Sequence, residues 1–187
     1  MAHEVHTTRA IILASAEVQD ADKLFWLFTE DFGLLFASAK SVREETSKLR
    51  YALQDLSKTR VSLVRGRGMW RITGAETLPN SAPLQYAQQN IFGKISSLVR
   101  RVVPFDQKHK DIFELLETAY DTLSAGAPMQ HVEEVTVARI LFNLGYVPPN
   151  VKYNDILQGT KLDMRYNQDV QKILVEAINT GLVESQL

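Results

Sequence analysis

Few residues in this chain have the neighbours that catalysis needs. With no cysteine among its 187 residues, thiol nucleophiles, disulfides, iron–sulfur clusters and thiolate-bound zinc are excluded. His3 and His6 could hold a metal, but they form a terminal pair with no third ligand in view. His109 stands between Lys108 and Lys110, and His131 opens an expected helix. Neither has a Ser or Asp beside it in a nucleophilic arrangement. Glu17, Asp20 and Asp22 look like part of an acidic cation site, yet their spacing does not fit a calcium loop, and a polar turn accounts for them. Gly66-Arg67-Gly68 lacks the strand-to-helix setting of a phosphate cradle and reads as a hairpin turn. No enzyme, cofactor or bound metal is expected.

The cations make a stronger pattern. Residues 40–71 hold Lys40, Arg43, Lys48, Arg50, Lys58, Arg60, Arg65, Arg67 and Arg71 against Glu44, Glu45 and Asp55. That is a local excess of six positive charges within 32 residues of a chain whose net charge is −1. Such a field attracts polyanions whatever the overall charge, although a solvated face with scattered cations has the same composition. Lys40, Arg43, Lys48 and Arg50 share one loop with Ser41, Thr46 and Ser47, and are the expected main phosphate contacts. Arg65, Arg67 and Arg71 gather around the turn that precedes Trp70. Trp26, Phe36 and Trp70 can either stack bases or fill a core; core is the reading taken for both tryptophans. Trp70 shares a strand face with Ile72, which leaves Arg71 on the solvent side. No helix with a basic first turn stands ready to read bases, so the expected contact is with the nucleic-acid backbone.

Two kinds of element must position these groups. Residues 8–14, 23–29, 33–40, 53–64 and 69–78 read as strands, being rich in β-branched and aromatic residues and separated by turns such as Asp31-Phe32-Gly33. About five strands in under 80 residues fit a small closed or partly closed barrel. From residue 81 the apolar spacing becomes helical. One helix, capped by Ser81 with Pro83 in its first turn, carries Leu84, Ala87, Ile91, Ile95, Leu98 and Val102. A second, capped by Asp106, carries Ile112, Phe113, Leu116, Ala119, Tyr120 and Leu123. A third follows Val132, Val135, Ala138, Leu141, Phe142 and Leu144. The last runs over 168–180 and stops at Gly181, and 147–166 reads as a loop. No apolar run approaches the roughly 18 residues of a membrane span. The first residues lack the basic and apolar regions of a signal peptide, and a cytoplasmic location with no membrane partner is expected.

The stretches Thr8-Arg9-Ala10-Ile11-Ile12-Leu13, Asp20-Ala21-Asp22-Lys23-Leu24 and Leu27-Phe28-Thr29-Glu30-Asp31-Phe32-Gly33 resemble the opening of the recombination mediator RecO family. Phe36-Ala37-Ser38-Ala39-Lys40, the basic loop, Arg65-Gly66-Arg67-Gly68 and Ala75-Glu76-Thr77-Leu78 continue the resemblance in order, and Leu144-Gly145-Tyr146-Val147-Pro148 is similar to a helix end further along. The resemblance implies an α+β chain, with a five-stranded OB-fold barrel over residues 1–79 and an all-α helical domain over 80–187. It implies a non-enzymatic role in recombinational DNA repair: binding single- and double-stranded DNA, annealing strands and assisting recombinase loading. The implied partners are RecR and the tail of single-stranded-DNA-binding protein. Many relatives carry a four-cysteine zinc module where this sequence has residues 151–165, and the sequence is short for the family. Glu44 and Glu45 dilute the basic loop. A protein-interaction adaptor that keeps the fold and has little DNA binding of its own is the alternative.

Overall fold

The computed structural model describes residues 4–18, 21–79, 81–162 and 166–185. Its first elements are β1 (Val5–Val18), β2 (Asp22–Thr29) and β3 (Gly33–Ala39). A short helix α1 (Leu49–Ala52) precedes β4 (Lys58–Arg65) and β5 (Trp70–Thr77). The strands close into a barrel in the order β1-β2-β3-β5-β4, and β4 returns to β1. All pairs are antiparallel except β3 with β5. This closed five-stranded barrel has the OB-fold form. β1 serves two neighbours, pairing with β4 from Val5 to Ile11 and with β2 from Ala10 to Val18. A register shift between Ile12 and Ala14 gives the strand the bend that closure requires.

Alternation fills the barrel with Phe25, Leu27, Leu35, Ala37, Val61, Leu63, Trp70 and Ile72. β2 alternates poorly in sequence because its other face is also covered. Phe28, on that face, is fully buried and stacks at 6.4 Å on Phe113. A strand covered on both sides reads as an apolar run. The expected strand 53–64 begins only at Lys58. Before it, Val42 and Leu53 reach the barrel core from the loop and from the end of α1. A one-turn helix and the start of a strand are too short for periodicity to tell apart.

Two compact units emerge, one of Met1–Pro83 with Pro104–Phe113, the other of Leu84–Val103 with Glu114–Leu187. Pro104–Phe113, expected among the helices, therefore lies with the barrel. Phe105 bridges to Leu34 and stacks on Phe36 at 4.6 Å, and the Asp106 amide donates to the Leu34 carbonyl at 2.8 Å. Gly33 makes this approach possible: its φ is +69°, and a Cβ there would lie 1.8 Å from the Gln107 carbonyl oxygen.

The helices are α2 (Tyr86–Val102), α3 (Lys110–Ser124), α4 (Met129–Asn143), α5 (Asn154–Gln158) and α6 (Gln168–Glu184). Neither expected cap holds. α2 starts after Gln85, whose amide donates to the Gln88 side chain, and Asp106 lies outside α3. The buried line of α2 runs through Phe92, Ile95, Ser96, Val99 and Val102, so Ala87 and Ile91 are not its centre. The α3 stripe is buried as expected. α4 packs against α2, α5 and α6 and buries residues around most of its circumference, including Arg139. That guanidinium donates to the Ile156 and Lys161 carbonyls at 2.7 and 2.8 Å. The expected loop contains α5, held by buried Tyr153, Ile156, Leu157 and Leu162. Gly181 is not a stop, since α6 runs through it, and a Cβ there would meet the Tyr146 carbonyl oxygen at 2.9 Å. Among the described residues no helix is long and apolar enough to cross a membrane.

Candidate nucleic-acid interface

The cations of the basic loop do not form one cluster. Lys40 follows β3 and is exposed. The loop is fixed at its base, where the Ser41 amide donates to the Asp22 carboxylate at 2.8 Å and the Arg43 amide to the Ala21 carbonyl at 3.1 Å. Arg43 and Arg50 line a hollow with Glu17 and Gln54, and the Arg43 guanidinium pairs with Glu17 at 3.3 Å. Lys48 instead lines a groove with Arg60, Ser62 and Gly74 on the outer face of the sheet. Helix α1 separates the two sites by sending Leu49 to the groove and Arg50 to the hollow. Glu17 and Asp22 thus hold the loop, while Asp20 and His3 lie outside the described residues. Among the described residues no group of three or more His, Cys, Asp or Glu side chains could hold a metal ion.

At the hairpin the turn is closed by the Gly66 amide donating to the Met69 carbonyl at 3.0 Å. Trp70 points inward as expected: it is 6% exposed and belongs to the barrel core, with Phe32 and His6 packed on its ring at 4.9 and 5.7 Å. Its indole N–H donates to Asp106 at 3.1 Å. The same carboxylate takes two hydrogen bonds from Arg65 at 3.0 and 3.4 Å, and the guanidinium lies 4.8 Å over the Trp70 ring. Burial alone would raise the Asp106 pKa, but the bonds from Arg65 and Trp70 outweigh it and hold the carboxyl below its ordinary value. Arg65 is therefore neutralised by a residue 41 positions away in sequence. Arg67 and Arg71 are exposed, and Arg71 faces solvent as expected.

Of the seven expected contact residues, Lys40, Lys48, Arg50, Arg67 and Arg71 make no ion pair among the described residues, whereas Arg43 and Arg65 do. Trp26 is not barrel core. Phe25 and Leu27 face inward, and Trp26 packs half-buried on the outer side against Phe36, with ring centroids 5.0 Å apart. Phe36 likewise faces outward, onto Phe105. Sequence reasoning missed Arg60, Phe105 and Asp106 as parts of these surfaces. Strand alternation about Val61 could have placed Arg60 outward, but nothing local marks residues 105 and 106 as barrel neighbours.

Residues 1–80 match a family model described as "Recombination protein O N terminal". The DNA repair protein RecO of Heliobacterium modesticaldum is 33% identical over 146 residues, covering 77% of this chain and 53% of that protein. A DNA repair protein RecO of Dehalococcoides mccartyi is 30% identical over 143 residues, covering 75% and 56%. That of Geobacter metallireducens is 27% identical over 141 residues, covering 74% and 58%. The chain thus spans about half the length of the curated relatives it matches.

Proposed function

The chain belongs to the RecO family, and from that membership we propose that it is a non-enzymatic mediator of recombinational DNA repair. In this reading its barrel binds single-stranded DNA through the phosphate backbone and brings complementary strands together for annealing. The observation that carries the reading is that five of the exposed cations of the loop and the hairpin, Lys40, Lys48, Arg50, Arg67 and Arg71, have no acidic partner among the described residues. Cations already paired gain little from a phosphate, whereas unpaired ones release condensed counterions from the nucleic acid as they bind. Arg43 and Arg65 serve chiefly to hold the loop and the hairpin. Double-stranded DNA is a second ligand of the same surface. RecR, the tail of single-stranded-DNA-binding protein and help in recombinase loading in the cytoplasm belong to the proposal through the family alone.

The test is annealing of two complementary labelled oligonucleotides, with and without the purified protein, at low and moderate salt. Acceleration that fades with salt is the expected result. Unchanged annealing together with no oligonucleotide binding at low salt refutes the reading and favours a protein-interaction adaptor.

A further inference from the structure

The groove on the outer face of β1, β4 and β5 contains more than Lys48. Ser62 lies opposite Thr7 on one side and Gly74 on the other, and Arg60 lies opposite Glu76. A register shift between Ser62 and Leu63 leaves Thr73 as the extra residue of β5, which brings its hydroxyl beside the groove. That hydroxyl donates to the Ser62 carbonyl at 3.2 Å, and the Thr7 and Ser62 hydroxyls lie 3.3 Å apart. Gly74 keeps the floor open, since a Cβ there would already sit 3.4 Å from Ser62 Cβ. Lys48 and Arg60 are exposed and make no ion pair among the described residues.

We propose that this groove is a phosphate seat for a nucleic-acid strand, formed by Lys48, Arg60, Thr7 and Thr73 over Gly74. The inference rests on the nucleic-acid reading above and adds to it a contact, Arg60, and a course. The strand leaves the Lys48 end of the basic loop, crosses β4 and β5, and reaches Arg71 two residues along β5 from Thr73. Its chemistry suits a phosphodiester better than an acidic peptide. A guanidinium presents paired N–H groups that match phosphate oxygens, and the Thr7 hydroxyl completes the shell, joined by that of Thr73 when its proton turns from the Ser62 carbonyl to the phosphate. The apolar lining is only Leu49 and Ala75, too little for the buried anchors on which peptide and protein partners depend. Glu76 lines the same groove, and its carboxylate reduces the attraction.

The experiment is fluorescence anisotropy of labelled oligothymidylate at several salt concentrations, using the full chain. Arg60→Gln and Lys48→Gln should each weaken binding and lower the slope of log affinity against log salt by about 0.7, the value for one single-strand phosphate contact. Thr73→Glu should weaken binding severalfold, and Glu76→Gln should tighten it. Lys172→Gln, which removes an exposed charge from α6, should change nothing. Variants that melt like the wild type and keep its slope overturn the seat while leaving the DNA-binding reading intact. Wild-type protein that binds no oligonucleotide at low salt overturns both. Oligoglutamate binding that is lost in Arg60→Gln, with oligonucleotide binding unchanged, assigns the groove to an acidic peptide and overturns the proposal.

Discussion

Replacing Trp70 separates a structural role from a binding role. The indole is buried in the barrel core and bonded at its edge to Asp106. Trp70→Ala removes the ring and leaves a cavity among its core neighbours, at about 3–5 kcal/mol. Trp70→Phe keeps an aromatic ring and loses the N–H donor. A bond to a charged acceptor contributes about 1.5–3 kcal/mol, but the Asp106 side chain is 51% exposed and can take water instead, so about 1 kcal/mol is expected. The guanidinium of Arg65 also loses its better π partner, worth about 0.5 kcal/mol at an exposed site. The Phe variant should therefore lose about 1–2 kcal/mol and the Ala variant two to three times as much. Urea unfolding followed by far-UV circular dichroism measures both. Oligothymidylate affinity of the folded Phe variant should match the wild type, because the ring faces the core. A Trp70→Ala protein with wild-type stability and lost oligonucleotide binding would refute this reasoning, since it would make the ring a stacking platform.

Simultaneous replacement of Lys40, Arg43, Lys48 and Arg50 by Ala should lower the single-strand salt slope by about 2, because three of the four lack an acidic partner among the described residues and each contributes about 0.7. Oligonucleotides of different sequence should be weakened alike. Gly181→Ala should destabilise the helical unit by about 1–3 kcal/mol in thermal melts: the added Cβ meets the Tyr146 carbonyl oxygen at 2.9 Å, and this crowding outweighs the ~1 kcal/mol helix gain of Ala over Gly. Acid should destabilise the barrel. Arg9 lowers the Glu30 carboxyl, Thr8 and Lys108 lower that of Asp31, and the Arg65 and Trp70 bonds lower that of Asp106. A folded value below the unfolded one gives stability that is present above the ordinary carboxylate range and lost as pH falls through the folded value. Urea midpoints should be level above about pH 5 and fall below about pH 4.

The barrel was legible because its strands are short, bounded by turn residues and rich in β-branched and aromatic side chains. Val61 and Leu63 face the core while Ser62 faces outward, as alternation requires. Three things were hidden. Helix α1 is a single turn, below the length at which periodicity distinguishes helix from strand. Trp26 lies on a strand covered on both faces, so hydrophobicity could not say which face it occupies. Asp106 had the residue type and position of a helix cap. Its use as an acceptor for Arg65 and Trp70 depends on the segment after Pro104 returning to β3, which is a tertiary fact with no local signal. Gly181 misled for a related reason. Glycine marks helix ends and close approaches alike, and only the neighbouring Tyr146 backbone tells them apart.

Charge counting met the same limit, and the structure sets a ceiling on what the interface can do. The sequence shows nine cations against three carboxylates over residues 40–71, but it cannot say which cations are spent on partners outside that window. Glu17 and Asp106, both outside it, take Arg43 and Arg65. The exposed cations of this window without an ion pair among the described residues are then Lys40, Lys48, Arg50, Arg60, Arg67 and Arg71. Six contacts at about 0.7 each bound the single-strand slope near 4. Raising salt from 50 to 200 mM should then reduce affinity by roughly two to three powers of ten, and no more. A slope well above that bound requires cations from beyond this surface. A slope near 2 means that the loop's Lys40, Lys48 and Arg50 alone carry the contact, and a slope of about 1.4 that the hairpin's Arg67 and Arg71 do. The salt dependence of the wild-type protein therefore reports how much of this dispersed surface one strand engages at once.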